Sequence, residues 1–391
     1  MITAFVDMVG LLMVVPLLPF YTLELGGKGM MVGILVSSFS IAQLLSAPLW
    51  GRVSDRYGRR PALLFGLGFS CVAYVIFGYA TSILMLLASR LVQGAGGGTT
   101  GVIQAYVADA TEPDQRARSL GWISASTNLG VAIGPVIGSI AYGWGREVPG
   151  LLAAGLCLTN MVFAWRFLRE SKDFSVANEG TVPRRSREAV WEVIQRSNEP
   201  APRLIWIYAI AIGAFQGITS ILALFLAARY GVTEKTIGYF FMYMGAISVL
   251  TRAGILGPVV DRLGEAKLSR IGTLLLAVGL GAMPFTHGYV PLAIAVAFIP
   301  LGTAFTFPCI SSLLTRVIQR HERGLYMGVQ QTFGGVARVI GPLWAGWSYD
   351  HLGMGVPFWT CAALVLGTLL LGQGMESYTR AKPDASPSVA V

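Results

Sequence analysis

Three charged side chains fall deep inside long apolar runs of this 391-residue sequence, where a charge needs a reason: Asp7, Arg90 and Arg338. A carboxylate can take up and release a proton, whereas a guanidinium keeps its charge and presents a fixed fork of donors. Charge in hydrocarbon is costly and turns toward protein or water. Asp7, in Phe5-Val-Asp7-Met-Val-Gly10, is the one carboxylate clearly within such a run; Glu24 and Asp109 sit at run ends. It is the leading candidate for a proton-loading site. Arg90 is expected to face inward and to serve proton coupling or tune a carboxylate. Arg338 lies about 14 residues into its run, roughly 21 Å deep at 1.5 Å per residue. It is expected to meet an anionic or zwitterionic small molecule, or a carboxylate. Arg252 lies nearer a run end, where it can snorkel to water. No nucleophile–base pair or metal-ligand spacing accompanies these charges. Cys71, Cys157, Cys309 and Cys361 fall in four different runs without C-x-x-C spacing, and His287, His321 and His351 lie in or near loops. Neither an enzyme nor a metal, cofactor or disulfide is expected.

Hydropathy defines the elements that hold these residues. The sequence is 54% hydrophobic and only 13% charged, with a mean hydropathy of +0.62. Soluble chains carry roughly 25% charged residues, so a soluble enzyme, a secreted disulfide scaffold and a disordered chain are excluded. About 20 apolar residues cross a bilayer as a helix. Twelve such runs occur, at roughly 2–23, 31–50, 61–80, 83–107, 119–142, 150–168, 204–228, 236–257, 268–286, 290–315, 325–347 and 354–373. The fold class is therefore an all-α polytopic membrane protein with 12 transmembrane helices. The net charge of +9 sorts by loop. With the N-terminus inside, 22 of the 29 Lys and Arg lie in cytoplasmic segments; only Lys28, Arg146, Arg229 and Lys235 lie on the other face. This asymmetry predicts both termini cytoplasmic and removes nucleic acid as a partner.

One long polar stretch separates six runs from six. The expected organisation is an N-terminal half (1–168), a cytoplasmic linker (169–203), a C-terminal half (204–375) and a disordered cytoplasmic tail (376–391). Within the linker, Val190, Val193 and Ile194 share a helical face, as in an amphipathic helix on the membrane surface; a flexible linker fits equally. The halves repeat each other. Gly51, Asp55 and Gly58 recur 206 residues later as Gly257, Asp261 and Gly264, while Arg116, Gly121, Gly134 and Pro135 recur 207 later as Arg323, Gly328, Gly341 and Pro342. Two parallel six-helix repeats place a cavity at mid-membrane and work by rocking one half on the other. That duplication points to transport.

The motifs then resemble a known family. Gly51-Arg-Val-Ser-Asp55-Arg56-Tyr-Gly58-Arg59-Arg60 is similar to the loop 2–3 signature of the major facilitator superfamily. The resemblance implies a charge cluster that latches the outward-facing state, with Gly51, Asp55, Arg56, Gly58, Arg59, Arg60, Asp109 and Arg116 as its members. Leu86-x-x-x-Arg90-x-x-Gln93-Gly94 resembles the family's span 4 motif. Gly121-x8-Gly130-x3-Gly134-Pro135-x2-Gly138 resembles the span 5 signature of proton-coupled antiporters, lacking only its final glycine. Those small residues are expected to pack span 5 tightly against the opposite half, with a bend at Pro135. Span 1, through Asp7 and Pro16-Leu-Leu-Pro19, is similar to drug:proton antiporters, tetracycline pumps especially. The second half departs from that pattern: the run 268–286 contains no acid where tetracycline pumps carry one in span 9, and residues 257–267 keep the latch motif only in degenerate form.

The resemblance implies a proton-coupled antiporter that exports an amphipathic small molecule by alternating access, with Asp7 and Arg90 coupling the proton and substrate competing with it in the cavity. Arg338, Asn128, Gln216, Gln330, Gln331, Phe305, Phe307, Met8 and Met13 are the candidate cavity residues. The alternatives are a proton symporter or uniporter for a sugar or organic anion, and a membrane sensor that has lost transport. The expected partners are the substrate, protons and the bilayer, and the expected setting is a bacterial inner membrane with the protein as a monomer.

Overall fold

A computed structural model describes residues 1–112, 115–171 and 186–374. The expected tail at 376–391 and most of the first part of the linker lie outside the described residues. Within them the chain is helical and contains no strand. Among the described residues nine helices are long and apolar enough to cross a membrane, and with three others they make twelve spans. The first six are span 1 (Ile2–Glu24), span 2 (Gly29–Tyr57), span 3 (Arg59–Gly78), span 4 (Ile83–Ala95 and Thr99–Ala110), span 5 (Arg116–Tyr142) and span 6 (Val148–Phe167). The second six are span 7 (Pro200–Tyr230), span 8 (Ile237–Leu263), span 9 (Glu265–Phe285), span 10 (Tyr289–Val317), span 11 (Arg323–His351) and span 12 (Val356–Leu371). Large apolar side chains such as Phe65, Leu84, Leu250 and Leu370 stand exposed along these spans. Water would not tolerate so much apolar surface, but lipid does.

Several spans are interrupted, each for a local reason. Span 1 passes through a tight turn at Val15–Leu17, which contains Pro16; proline there removes a helix donor. Span 4 stops at Ala95 and restarts at Thr99 across three glycines. A methyl group on Gly96 would overlap Phe69 of span 3, and one on Gly98 would overlap Trp50 of span 2. The glycines thus let the break sit directly on its neighbours. Span 8 contains a wide π turn at Thr251–Ile255, which carries Arg252. The sharp corners before spans 3 and 9 use Gly58 (φ 104°) and Gly264 (φ 77°) in matching backbone conformations. Only glycine adopts them without strain, and the two lie 206 residues apart, as the repeat predicts.

The described residues divide into two compact bodies. One contains spans 1–6 with residues 217–249 and 342–357; the other contains residues 186–216, 250–341 and 358–374. In the first body, Gly130, Gly134 and Gly138 of span 5 lie against the backbone of span 1 at Phe5, Val9 and Met13. The opposite edge of span 5 meets span 8: Gly238 N–H donates to Ser139 Oγ at 2.9 Å, and Gly245 lies against Ala132. This corrects the expectation that the motif glycines face the other half. Gly130, Gly134 and Gly138 face span 1, and the contact with span 8 is made by Ala132, Pro135 and Ser139, with the glycines supplied by span 8. Spans 2 and 11 also close on each other. Gly33 rests on the Pro342 carbonyl and Gly346 on that of Gly29. Asp350 caps the start of span 2, accepting from Gly29 N–H at 2.9 Å and Met30 N–H at 2.7 Å. A carboxylate on a helix N-terminus satisfies free donors and complements the helix dipole.

In the second body, spans 9 and 10 pack through Gly272, Gly279 and Gly302. The linker helix (Ser186–Gln195) docks on this body, burying Ala189 and Val193 among Leu204, Ile205, Leu313, Leu314 and Tyr326. Trp206 Nε1 donates to the Val193 carbonyl, and Tyr326 hydroxyl to Glu192. The helix is amphipathic as expected, but protein covers part of its apolar face; Trp191 and Ile194 remain exposed.

Candidate functional site

Asp7 lies five residues into span 1 and is half-buried. Thr99 Oγ1 donates to its Oδ2 at 3.2 Å. Thr99 is the first residue of the second segment of span 4, so the break presents a helix N-terminus to the carboxylate. Broken helices place such ends at ion sites in transporters because the exposed N–H groups and the dipole favour negative charge. Arg90, 2% exposed, sits one turn before the break, with its guanidinium 5.8 Å from the centre of the Phe77 ring. It makes no ion pair with Asp7 among the described residues.

Three of the predicted latch residues, Asp55, Arg59 and Asp109, meet at one end of the first body. Arg59 Nη1 bonds Asp55 at 2.7 Å and Ser54 Oγ at 3.0 Å, and its Nε bonds Asp109 at 2.8 Å. One guanidinium therefore ties the span 2–3 corner to the end of span 4. Glu170, which sequence reasoning missed, accepts the Arg59 and Arg60 N–H groups at 2.7 and 3.1 Å and caps span 3. Arg60 also donates to the Trp165 carbonyl. The remaining candidates stand apart from this bridge. Arg56 lies over the Tyr57 ring at 5.5 Å, Arg116 bonds the Thr111 carbonyl at 3.2 Å, and a methyl group on Gly51 or Gly121 would meet open space.

The second half carries the same bridge with its charges exchanged. Glu265, Asp261 and Arg316 stand 206 or 207 residues after Arg59, Asp55 and Asp109. Arg316 Nη2 bonds Glu265 at 2.5 Å, and Ser312 Oγ adds a bond at 2.9 Å. What looks degenerate in the sequence is an inverted pair, hidden from a search for matching residue types.

The candidate cavity residues sort into two groups. Arg338 is half-buried near the middle of span 11 and makes no hydrogen bond or ion pair among the described residues. Gly334 and Gly341, on the same helical side, lie against Tyr208 and Gly213 of span 7. Phe307 is nearby in that body, its ring 5.4 Å from Tyr208 and 6.4 Å from Phe215. Gln216 and Asn128 are half-buried, the latter bonded to the Ser124 carbonyl of its own helix at 2.8 Å, and Gln331 is exposed. The second group is packed between helices. Met13, 0% exposed, lies under Gly138, and Met8 is half-buried under Gly130. Phe305 packs with Leu268 and Cys309, and Gln330, 0% exposed, receives a 3.4 Å bond from Ser311. Phe305, Met13 and Gln330 therefore serve packing in this structure rather than an open surface. The side of a helix that a neighbour covers decides this, and residue type alone does not reveal it.

Twelve spans in two repeats, with a charged corner in each and a carboxylate at a helix break, define a multi-pass membrane transporter. The chain belongs to the Major Facilitator Superfamily, whose model matches residues 1–256 and 253–388. It is 25% identical over 360 residues to multidrug resistance protein 2 of Bacillus subtilis, covering 90% of this chain and 88% of that protein. It is 24% identical over 371 residues to the class B tetracycline resistance protein of Escherichia coli, covering 94% and 91%. Among solved structures, the human organic anion transporter MFSD10 superposes with a TM-score of 0.72 at 23% identity, covering 95% of this chain and 97% of that one. The nucleoside transporter NupG gives 0.75 at 13% identity, covering 97% and 98%. These likenesses to solved structures establish the fold.

Proposed function

We propose that the protein is a proton-driven antiporter that exports amphipathic small molecules across a bacterial inner membrane, with both termini in the cytoplasm. The observation that carries the reading is Asp7, held at the broken span 4 by Thr99. The other carboxylates of the first-half spans, Glu24, Asp55 and Asp109, lie in the last turns of their helices. Similarity to multidrug and tetracycline resistance proteins supports the export direction. The span 5 glycines support antiport, because they bind span 5 to the very helix that carries Asp7. Protonation of Asp7 would therefore be felt directly by span 5, whose other edge holds span 8. Arg338 and the Tyr208, Phe215 and Phe307 rings supply a charge and apolar faces for substrate. An unpaired arginine suits a substrate with an anionic group, in keeping with the likeness to an organic anion transporter. The Asp55–Arg59–Asp109 bridge lies at the basic, cytoplasmic end and acts as the latch.

The test is reconstitution in liposomes with an entrapped pH dye and a panel of amphipathic anions, cations and zwitterions. Antiport predicts proton movement opposite to the transported compound. Co-directional movement would replace this reading with symport, and silence across the panel would favour a sensor.

A further inference from the structure

We propose that spans 1, 3, 4 and 6 enclose a hydrated chamber beside Asp7, lined by Tyr74, Arg90, Gln93 and Asn160, whose ordered water hands the coupling proton to Asp7. The proposal rests on the reading of Asp7 as the coupling site and adds the route by which the proton reaches it.

The lining follows from helical register. Thr3, Asp7 and Gly10 recur at four and three residues, so they share one side of span 1. Asn160 Nδ2 of span 6 donates to the Thr3 carbonyl at 3.0 Å. At the other end, the Tyr74 ring of span 3 fills the place a Gly10 side chain would take, with its hydroxyl 3.4 Å from that point. Between them, Thr99 of span 4 holds Asp7. The Tyr74 hydroxyl bonds the Gln93 side chain and lies within electrostatic reach of Asp7, Arg90 and Cys157, and Arg90 and Gln93 stand one turn apart on span 4. Cys157 and Asn160 stand one turn apart on span 6, with the Cys157 thiol donating to the Leu67 carbonyl at 3.2 Å. The titratable groups that act on Asp7 are therefore Tyr74 and Cys157, with Arg90 on the far side of Tyr74; span 5 meets span 1 here through glycines.

These side chains leave polar atoms that the protein does not satisfy. Arg90 Nε and Nη2, Gln93 Oε1 and Asn160 Oδ1 are buried and make no hydrogen bond. Arg90 is 2% exposed, and Gln93 and Asn160 are 3% exposed. Buried polar groups in native proteins find partners, and where side chains do not provide them, ordered water does. Two donors on a guanidinium and an amide oxygen from span 4, with an amide oxygen from span 6, offer a water chain both ends of its hydrogen bonds. The proton step balances simply. A hydronium in the chamber gives one proton to an Asp7 carboxylate oxygen; one water O–H bond breaks, one carboxyl O–H bond forms, and neutral water remains. Arg90 keeps its charge throughout and donates to the water without taking up the proton itself.

Infrared difference spectroscopy of the full-length protein in lipid, titrated with pH, reads both parts. The Asp7 band is the protonated-carboxyl stretch that vanishes in Asp7→Asn. We expect water bands that shift in oxygen-18 water to change together with it. We expect Tyr74→Phe, which keeps the ring on Gly10, and Asn160→Leu, which keeps the volume, each to move the midpoint at least threefold in proton concentration. An Asp7 band that titrates with an unchanged midpoint in both variants, and with no oxygen-18-sensitive band following it, overturns the chamber and leaves the antiport reading intact. A wild-type protein with no titrating carboxyl band overturns both.

Discussion

A methyl group on Gly138 would run into the Met13 backbone, whereas one on Gly121 would meet nothing within 4 Å. The two glycines belong to one motif yet carry different loads. Gly138→Ala forces span 5 away from span 1 and should destabilise the protein by about 1–3 kcal/mol, the usual cost of overpacking, with loss of transport. Gly121→Ala should leave both unchanged; thermal unfolding in detergent and a transport assay check the pair. At this scale the sequence exposes charges well and neutral partners badly. Asp7, Arg90 and Arg338 stand out because a charge in an apolar run is costly. Thr99, Tyr74 and Asn160 look like ordinary span residues, and only the fold brings them to the side of span 1 that carries Asp7. The inverted Glu265–Arg316 bridge escaped notice because the repeat conserves the position of the pair but not the sign of either charge.

The elements themselves were largely legible, since hydropathy alone marks where helices cross. Their interruptions were less so. The glycines at 96–98 pack closely on spans 2 and 3, but they also end one helix and start another in front of Asp7. The π turn at Thr251–Ile255 has no signal beyond Gly254 and an awkward arginine. The corner bridges give a test at this scale. Reversing Glu265 alone should leave two like charges facing each other and lower stability. The double exchange Glu265→Arg with Arg316→Glu should recover most of the loss, with a coupling energy of about 1 kcal/mol for a partly exposed pair. Thermal unfolding of the singles and the double measures it, and strict additivity would remove the bridge from the account.

For the whole molecule, the two compact bodies do not coincide with the two halves of the sequence, because parts of spans 7, 8 and 11 join the first body. The repeat describes ancestry and insertion, while the bodies describe which residues are packed together in this conformation. In the first body, spans 2 and 11 are held by Gly33, Gly346 and the Asp350 cap. These are long-range contacts that no local pattern in the sequence announces. If alternating access requires them to close and part, Gly33→Ala should abolish transport, because its methyl group would run into the Pro342 carbonyl oxygen and keep the two helices from closing. Unaltered transport by Gly33→Ala would show that this seal is not needed.

The central claim is that Asp7 couples substrate movement to the proton, and it separates cleanly from substrate binding. Take a compound that the liposome panel identifies, and measure its accumulation against a concentration gradient under an imposed pH gradient, alongside its exchange at equal pH. Asp7→Asn removes the proton but keeps the side-chain volume and a partner for Thr99. The account predicts that this variant exchanges compound at a rate within a few-fold of the unaltered protein and accumulates none against the gradient. Full uphill accumulation by Asp7→Asn would contradict it.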